Sequence, residues 1–116
     1  MPSFSKDDIP QDWRTLLGDY FESTAWKTLE SNLQQILLNE PDNIGPQPQD
    51  FFKALTLTPL DTVKAVIIGQ DPYHSPGLAQ GLAFSIPVNI PVNTRAFPSS
   101  LRNISKALSK IGRAHV

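Results

Sequence analysis

Val63-Lys64-Ala65-Val66-Ile67-Ile68-Gly69-Gln70-Asp71-Pro72-Tyr73-His74 is the stretch that decides how this chain is read. It opens as a near-continuous apolar run with β-branched Val66, Ile67 and Ile68 at its end. Such a run predicts a strand buried on both faces, the kind found in parallel sheets. At Gly69 the character changes abruptly. Gln70, Asp71, Pro72, Tyr73 and His74 follow the run with no spacer. In open α/β sheets, ligands bind in the crevice at the carboxyl ends of the strands. The turn from Gly69 to His74 is therefore the first place to look for function.

Outward from this stretch, the periodicity predicts helices. Trp13, Leu16 and Leu17 share one face of a helix that starts near Asp12 and is ended or interrupted at Gly18. A longer helix is expected from about Ser23 to Asn39, with Trp26, Leu29, Leu33, Ile36 and Leu37 recurring at three- and four-residue spacing. Trp26 reads as a core anchor. Residues 40–48 are loop by composition. A short helix from about Gln49 to Leu55 is expected to bury Phe51, Phe52 and Leu55. Thr58 to Asp61 leads into the strand. Beyond the central turn, residues 75–81 read as a flexible loop and 82–86 as a short strand or extended segment. Residues 87–98, with three prolines and two asparagines, read as loop. Ser99 or Ser100 is expected to cap a last helix with Leu101, Ile104, Leu108 and Ile111 on its buried side. The order suggests an α/β fold, although one strand does not make a sheet.

The totals set bounds. A chain of 116 residues has the length of one small domain, and no linker divides it. Residues 1–10 are expected to form a loose lead-in. With no cysteine, the chain has neither a disulfide framework nor a thiolate metal site. No apolar run approaches the roughly 20 residues that cross a bilayer. The first residues carry no secretory pattern, so a cytoplasmic protein is the simplest expectation. The net charge of −1 hides a division. Residues 1–71 hold eleven acids against five Lys or Arg, for −6. Residues 72–116 hold five Lys or Arg and no acid, for +5. A basic half can attract a polyanion, although chance clustering on a solvated helix gives the same count.

The residues of the turn allow several chemistries. Asp71 at a strand end can act as a general base on water or stabilise a developing cation. Asp-Pro is also an ordinary turn initiator. Tyr73 can wall a pocket or simply pack. His74 can bind phosphate, act as an acid or cap a backbone group. Asp71 and His74 make a weak metal pair without a third ligand. Backbone N–H groups beside Gly69 can form an anion-binding nest. Phe84 is a core residue by default, placed so that it can return beside the turn.

Gly69-Gln70-Asp71-Pro72-Tyr73-His74, followed by Gly81-Leu82-Ala83-Phe84-Ser85, resembles the water-activating motif and base-stacking segment of the family 1 uracil-DNA glycosylases. Val63 to Ile68 fits the first parallel strand of that family. Pro98-Ser99-Ser100-Leu101-Arg102-Asn103-Ile104 is similar to its DNA loop and following helix. Trp13, Phe51-Phe52 and Thr58-Pro59-Leu60 fall in order upstream, so the likeness covers roughly residues 10–110.

The resemblance implies the N-terminal part of a three-layer α/β/α fold with a central parallel sheet. It implies hydrolysis of the N-glycosidic bond that joins uracil to DNA, in base-excision repair, on a base flipped out of the stack. Asp71 corresponds to the catalytic carboxylate, Gln70 to a backbone contact with uracil, and Tyr73 to the ring that excludes the thymine methyl. Phe84 corresponds to the stacking aromatic; His74, Ser99 and Ser100 correspond to phosphate contacts. Uracil-containing single- or double-stranded DNA is the implied partner, and a monomer is the implied state of the complete domain. No metal or organic cofactor is implied.

The chain also departs from the family. The asparagine that reads the uracil edge, the histidine motif that stabilises the departing anion and the DNA-entering leucine loop are not found. His115 does not replace the histidine motif, and residues 111–116 depart from the family pattern. The loop before Pro98 is thin in prolines. The alternative expectation is therefore an inactive, truncated fragment with at most weak DNA binding. A generic phosphate-binding α/β module is a third reading, but it leaves Tyr73 and Phe84 together unexplained.

Overall fold

The helices follow from local chemistry. The computed structural model describes residues 5–112. Within them, α1 (Gln11–Leu16) and α2 (Gly18–Phe21) are separated at Leu17, the break that Gly18 predicts. α3 (Thr24–Asn39) starts where Ser23 caps it. The Ser23 hydroxyl accepts the Trp26 backbone N–H at 3.2 Å and donates to the Tyr20 carbonyl. A cap of this kind is worth about 1 kcal/mol. It also fixes the register that turns Trp26 inward.

The core forms around that side chain. Trp26 is 4% exposed, and Phe21 meets it edge-on at 4.9 Å between ring centroids. Ile9 and Leu37 complete the buried cluster, with Trp13, Leu17, Leu33, Ile44, Phe51, Phe52 and Leu55 packed around it. Ile9 lies within the stretch expected to be a loose lead-in, yet it is 3% exposed. The turn at Lys6–Asp8, capped by Ser5, delivers it to the core. The α3 stripe is only partly covered: Trp26 and Leu37 are buried, whereas Leu29 and Ile36 remain exposed.

α1 is tied to the segment that leads into the central stretch. Trp13 donates its indole N–H to the Thr58 carbonyl at 2.9 Å, and the Asp12 carboxylate accepts the Leu60 N–H at 2.7 Å. The short helix expected from Gln49 to Leu55 is instead two pieces. A 3-10 turn spans Pro48–Asp50, and α4 spans Lys53–Leu57. Pro48 suits a first turn because it has no N–H to satisfy there. Phe51 and Phe52 sit between the pieces and still pack on the core.

The expected buried strand is not seen. Among the described residues there is no β-strand, and Val63 to Ile68 runs without a ladder partner. Val66, Ile67 and Ile68 are 72%, 70% and 89% exposed. The reason is non-local: a strand is defined by the backbone groups of its neighbours, and the described residues supply none. Leu82 to Ser85, expected to be extended, is a turn closed by Ser85 N–H to the Leu82 carbonyl at 3.1 Å.

α5 (Ser99–Lys110) follows the predicted loop. Its cap differs from expectation. Pro98 holds the cap position, so Ser99 and Ser100 become the first two helical residues and no side chain caps the end. Leu101 and Ile104 are half-buried, while Leu108 and Ile111 are exposed. None of the described helices is long and apolar enough to cross a membrane.

One close approach joins the two halves of the chain. Gly81 has φ +84°, and a Cβ there would stand 2.0 Å from the Asp50 carbonyl oxygen and 3.1 Å from its carbon. Gly77 has φ +81° with nothing within 4 Å of its own notional Cβ. The pair separates conformational cost from overlap. Gly77→Ala is expected to cost about 1 kcal/mol, and Gly81→Ala about 2 kcal/mol or more. In thermal unfolding followed by circular dichroism, the second variant melts clearly below the first; equal melting temperatures would exclude the close contact.

Candidate active site

Two loops and the core build a cavity of about 930 Å³. The first loop, Gly69 to His74, continues from the apolar run. The second, Ala79 to Ser85, is seated by Gly81 on the Asp50 carbonyl. Trp26, Leu29 and Leu33 of α3, with Phe51 and Phe52, supply an apolar lining. The exposed Leu29 thus faces a cavity. Gln70, Asp71, His74, Gln80, Ser85 and Ser100 supply the polar groups.

Six of the seven residues singled out from the sequence therefore line one space: Gln70, Asp71, Tyr73, His74, Phe84 and Ser100. They come from three separate parts of the chain. Ser99 is exposed at the first position of α5 and is not part of the lining. Asp71 and His74 are exposed, whereas Tyr73 and Phe84 are half-buried. Among the described residues no side chain or N–H donates to the Asp71 carboxylate, and no third acid or imidazole gathers with Asp71 and His74 as a metal site requires.

The two aromatic residues are joined. The Tyr73 hydroxyl donates to the Phe84 carbonyl at 3.1 Å, in a partly buried position. Phe84 itself has φ +66°, the only positive value among the described non-glycine residues. That conformation costs roughly 1–2 kcal/mol for an L-residue with a side chain. Next to it the Ser85 hydroxyl donates to Gln80 Oε1. Periodicity and composition give no sign of these bonds, because each depends on where two loops meet.

Arg102 is a further residue that the sequence did not mark. Its Nη2 donates to the Val92 carbonyl at 2.7 Å and to the Thr94 carbonyl at 3.3 Å, and its guanidinium lies 5.5 Å from the Phe97 ring centroid. A cation at the fourth position of a helix opposes the helix dipole. The two carbonyls and the ring face offset that cost. The result fixes the loop that precedes Ser99 and Ser100, where the first N–H groups of α5 have no partner within the helix.

The cavity combines an aromatic wall suited to a flat ring, a helix start suited to a phosphate and an exposed carboxylate able to act on water or on positive charge. Known proteins narrow that chemistry. No family model matches the chain. It is 40% identical over 106 residues to a uracil-DNA glycosylase of Chlamydia muridarum, covering 91% of this chain and 43% of that protein. A uracil-DNA glycosylase of Clostridium beijerinckii is 45% identical over 104 residues, with 88% and 42% covered. One from Helicobacter hepaticus is 38% identical over 111 residues, with 93% and 47% covered. The chain is related to the uracil-DNA glycosylases over about nine-tenths of its length. It spans less than half the length of these relatives. The relationship implies an α/β fold, while the described residues hold no strand to set beside it.

Arg102→Gln removes both the charge and the Nη2 that reaches two carbonyls. It is expected to cost about 1 kcal/mol, below the usual range for charge-assisted bonds because the loop is largely exposed. Amide hydrogen exchange should quicken in residues 92–97 and stay unchanged in α3. A uniform increase along the chain would mean that Arg102 serves general stability rather than this loop.

Proposed function

We propose that this sequence is a uracil-DNA glycosylase, which hydrolyses the bond between uracil and deoxyribose in DNA during base-excision repair. The observation that carries the reading is the gathering of Asp71, Tyr73 and Phe84 around one cavity in a chain about 40% identical to proteins of that name. In this reading Asp71 orients the attacking water and stabilises the cationic character that develops on the sugar. A carboxylate suits both tasks, as an acceptor and a negative charge. Phe84 stacks on the flipped base, and Tyr73 occupies the space that a thymine methyl needs. The Gln70 backbone contacts the base edge. His74, Ser99 and Ser100 hold phosphates beside the flipped nucleotide, Ser100 from the cavity lining and Ser99 from the adjoining exposed helix start. The acid-free second half of the chain supplies the attraction for the DNA backbone.

The finer fold follows from the same reading. Val63 to Ile68 is proposed as a strand of a central parallel sheet in a three-layer α/β/α domain. A second functional reading, an inactive piece with at most weak DNA binding, is favoured by one observation: Val66, Ile67 and Ile68 are exposed rather than packed in a sheet.

Incubating residues 1–116 with single-stranded DNA that contains uracil tests both readings. The glycosylase reading expects free uracil from the chain and a loss of roughly 100-fold or more in Asp71→Asn, the scale of a removed general base. No release at high protein concentration, with weak and uracil-independent DNA retention, would support the second reading.

A further inference from the structure

The described residues place four positions at clearly positive φ. Three are glycines, Gly77, Gly81 and Gly112; the fourth is Phe84. A left-handed position is one that glycine fills without strain, and a large aromatic there needs a compensating reason. The surroundings hold Phe84 from both sides. Gly81 seats the loop on the Asp50 carbonyl, Ser85 N–H closes the turn onto the Leu82 carbonyl, and the Tyr73 hydroxyl takes the carbonyl of Phe84 itself. The last bond comes from the opposite loop of the cavity, eleven residues away in sequence.

Shape alone does not explain the hydroxyl. A phenylalanine at position 73 would fill the same space against a base substituent. A half-buried phenol does need a partner, but water at an open cavity could provide one. The bond instead reaches the one strained backbone unit in the loop.

We infer that the Tyr73 hydroxyl is a positioning group: it holds Phe84 in its left-handed conformation and so sets the plane on which a base stacks. The ring and the hydroxyl of Tyr73 then have separate tasks, exclusion and alignment. This inference rests on the reading of the cavity as a site for a flipped uracil.

Tyr73→Phe separates the two tasks. In the folded chain, the one-bond Cα–Hα coupling of Phe84, which reports the sign of φ, is expected in the left-handed range. In Tyr73→Phe it should move toward the ordinary range, and an unchanged coupling would overturn the inference. With uracil-containing single-stranded DNA, the variant should show a rise of roughly three- to tenfold in KM with kcat nearly unchanged, as expected when ground state and transition state lose the same part of a stack. Thymine should stay excluded. Unchanged KM, or release of thymine by the variant, would overturn the separation of tasks.

Melting gives a check that needs no substrate. Phe84→Gly removes the strain, so adding Tyr73→Phe in that background should lower Tm by less than half of its effect alone. Equal losses would overturn the inference. If the unaltered chain releases no uracil, the glycosylase reading fails there, while the Phe84 coupling and the melting cycle still decide what the hydroxyl holds.

Discussion

Burial of Trp26 is the constraint on which the rest of the described structure depends. The indole is fixed by the capped start of α3 and by Phe21 packed edge-on against it. It is also part of the cavity lining. The same side chain therefore stabilises the core and shapes the site. With few residues fully buried, a single large aromatic carries a disproportionate share of the apolar area removed from water. Phe51 and Phe52 extend this surface from the core toward the two loops. The loops inherit their position from a core formed mainly by the acidic half of the chain.

The site itself is held by polar ties rather than by burial. Asp12 and Trp13 secure the segment before the apolar run. Tyr73 ties the second loop to the first, and the bare Gly81 lets that loop approach Asp50. Arg102 binds the third loop to the helix that follows it. Each hydrogen bond links positions far apart in sequence or folds a loop back on a helix, and each uses a backbone carbonyl or N–H that the loop would otherwise leave to water. This division suits a site whose polar groups must stay accessible. Asp71 and His74 remain exposed while the atoms that aim their loops are bonded.

What could be read from the sequence follows the range of the forces involved. α3 is legible because its apolar spacing is local: Trp26, Leu33 and Leu37 announce it, and the Ser23 cap acts over the same short range. The break near Gly18 and the loop from Pro87 to Pro98 were legible for the same reason. The six cavity residues are legible as a set only through the motif resemblance, which points equally to Ser99, outside the lining. Composition could not reveal the left-handed Phe84, since a non-glycine residue gives no warning of positive φ. Nor could it reveal the hold of Arg102 on two carbonyls, or Ile9 turned into the core, because these depend on tertiary contacts. The cap of α5 falls at Pro98, ahead of both serines expected to hold it, because Pro98 competes with them for the boundary.

The apolar run before the site shows the limit of local reading most clearly. Val66, Ile67 and Ile68 have the β-branched character of a buried strand, and strand propensity is largely a statement about cross-strand and same-face neighbours. Helix hydrogen bonds close within the segment, so α3 and α5 form from their own residues. A strand's bonds close only on another strand, so the same apolar sequence stays an exposed segment without a ladder among the described residues. The relatives are more than twice as long as the stretch matched here. The turn at Gly69 to His74 is thus held by contacts made after the run rather than by a sheet beneath it. That makes the bond from Tyr73 to Phe84 more consequential: it joins the two walls of the cavity where sheet pairing does not.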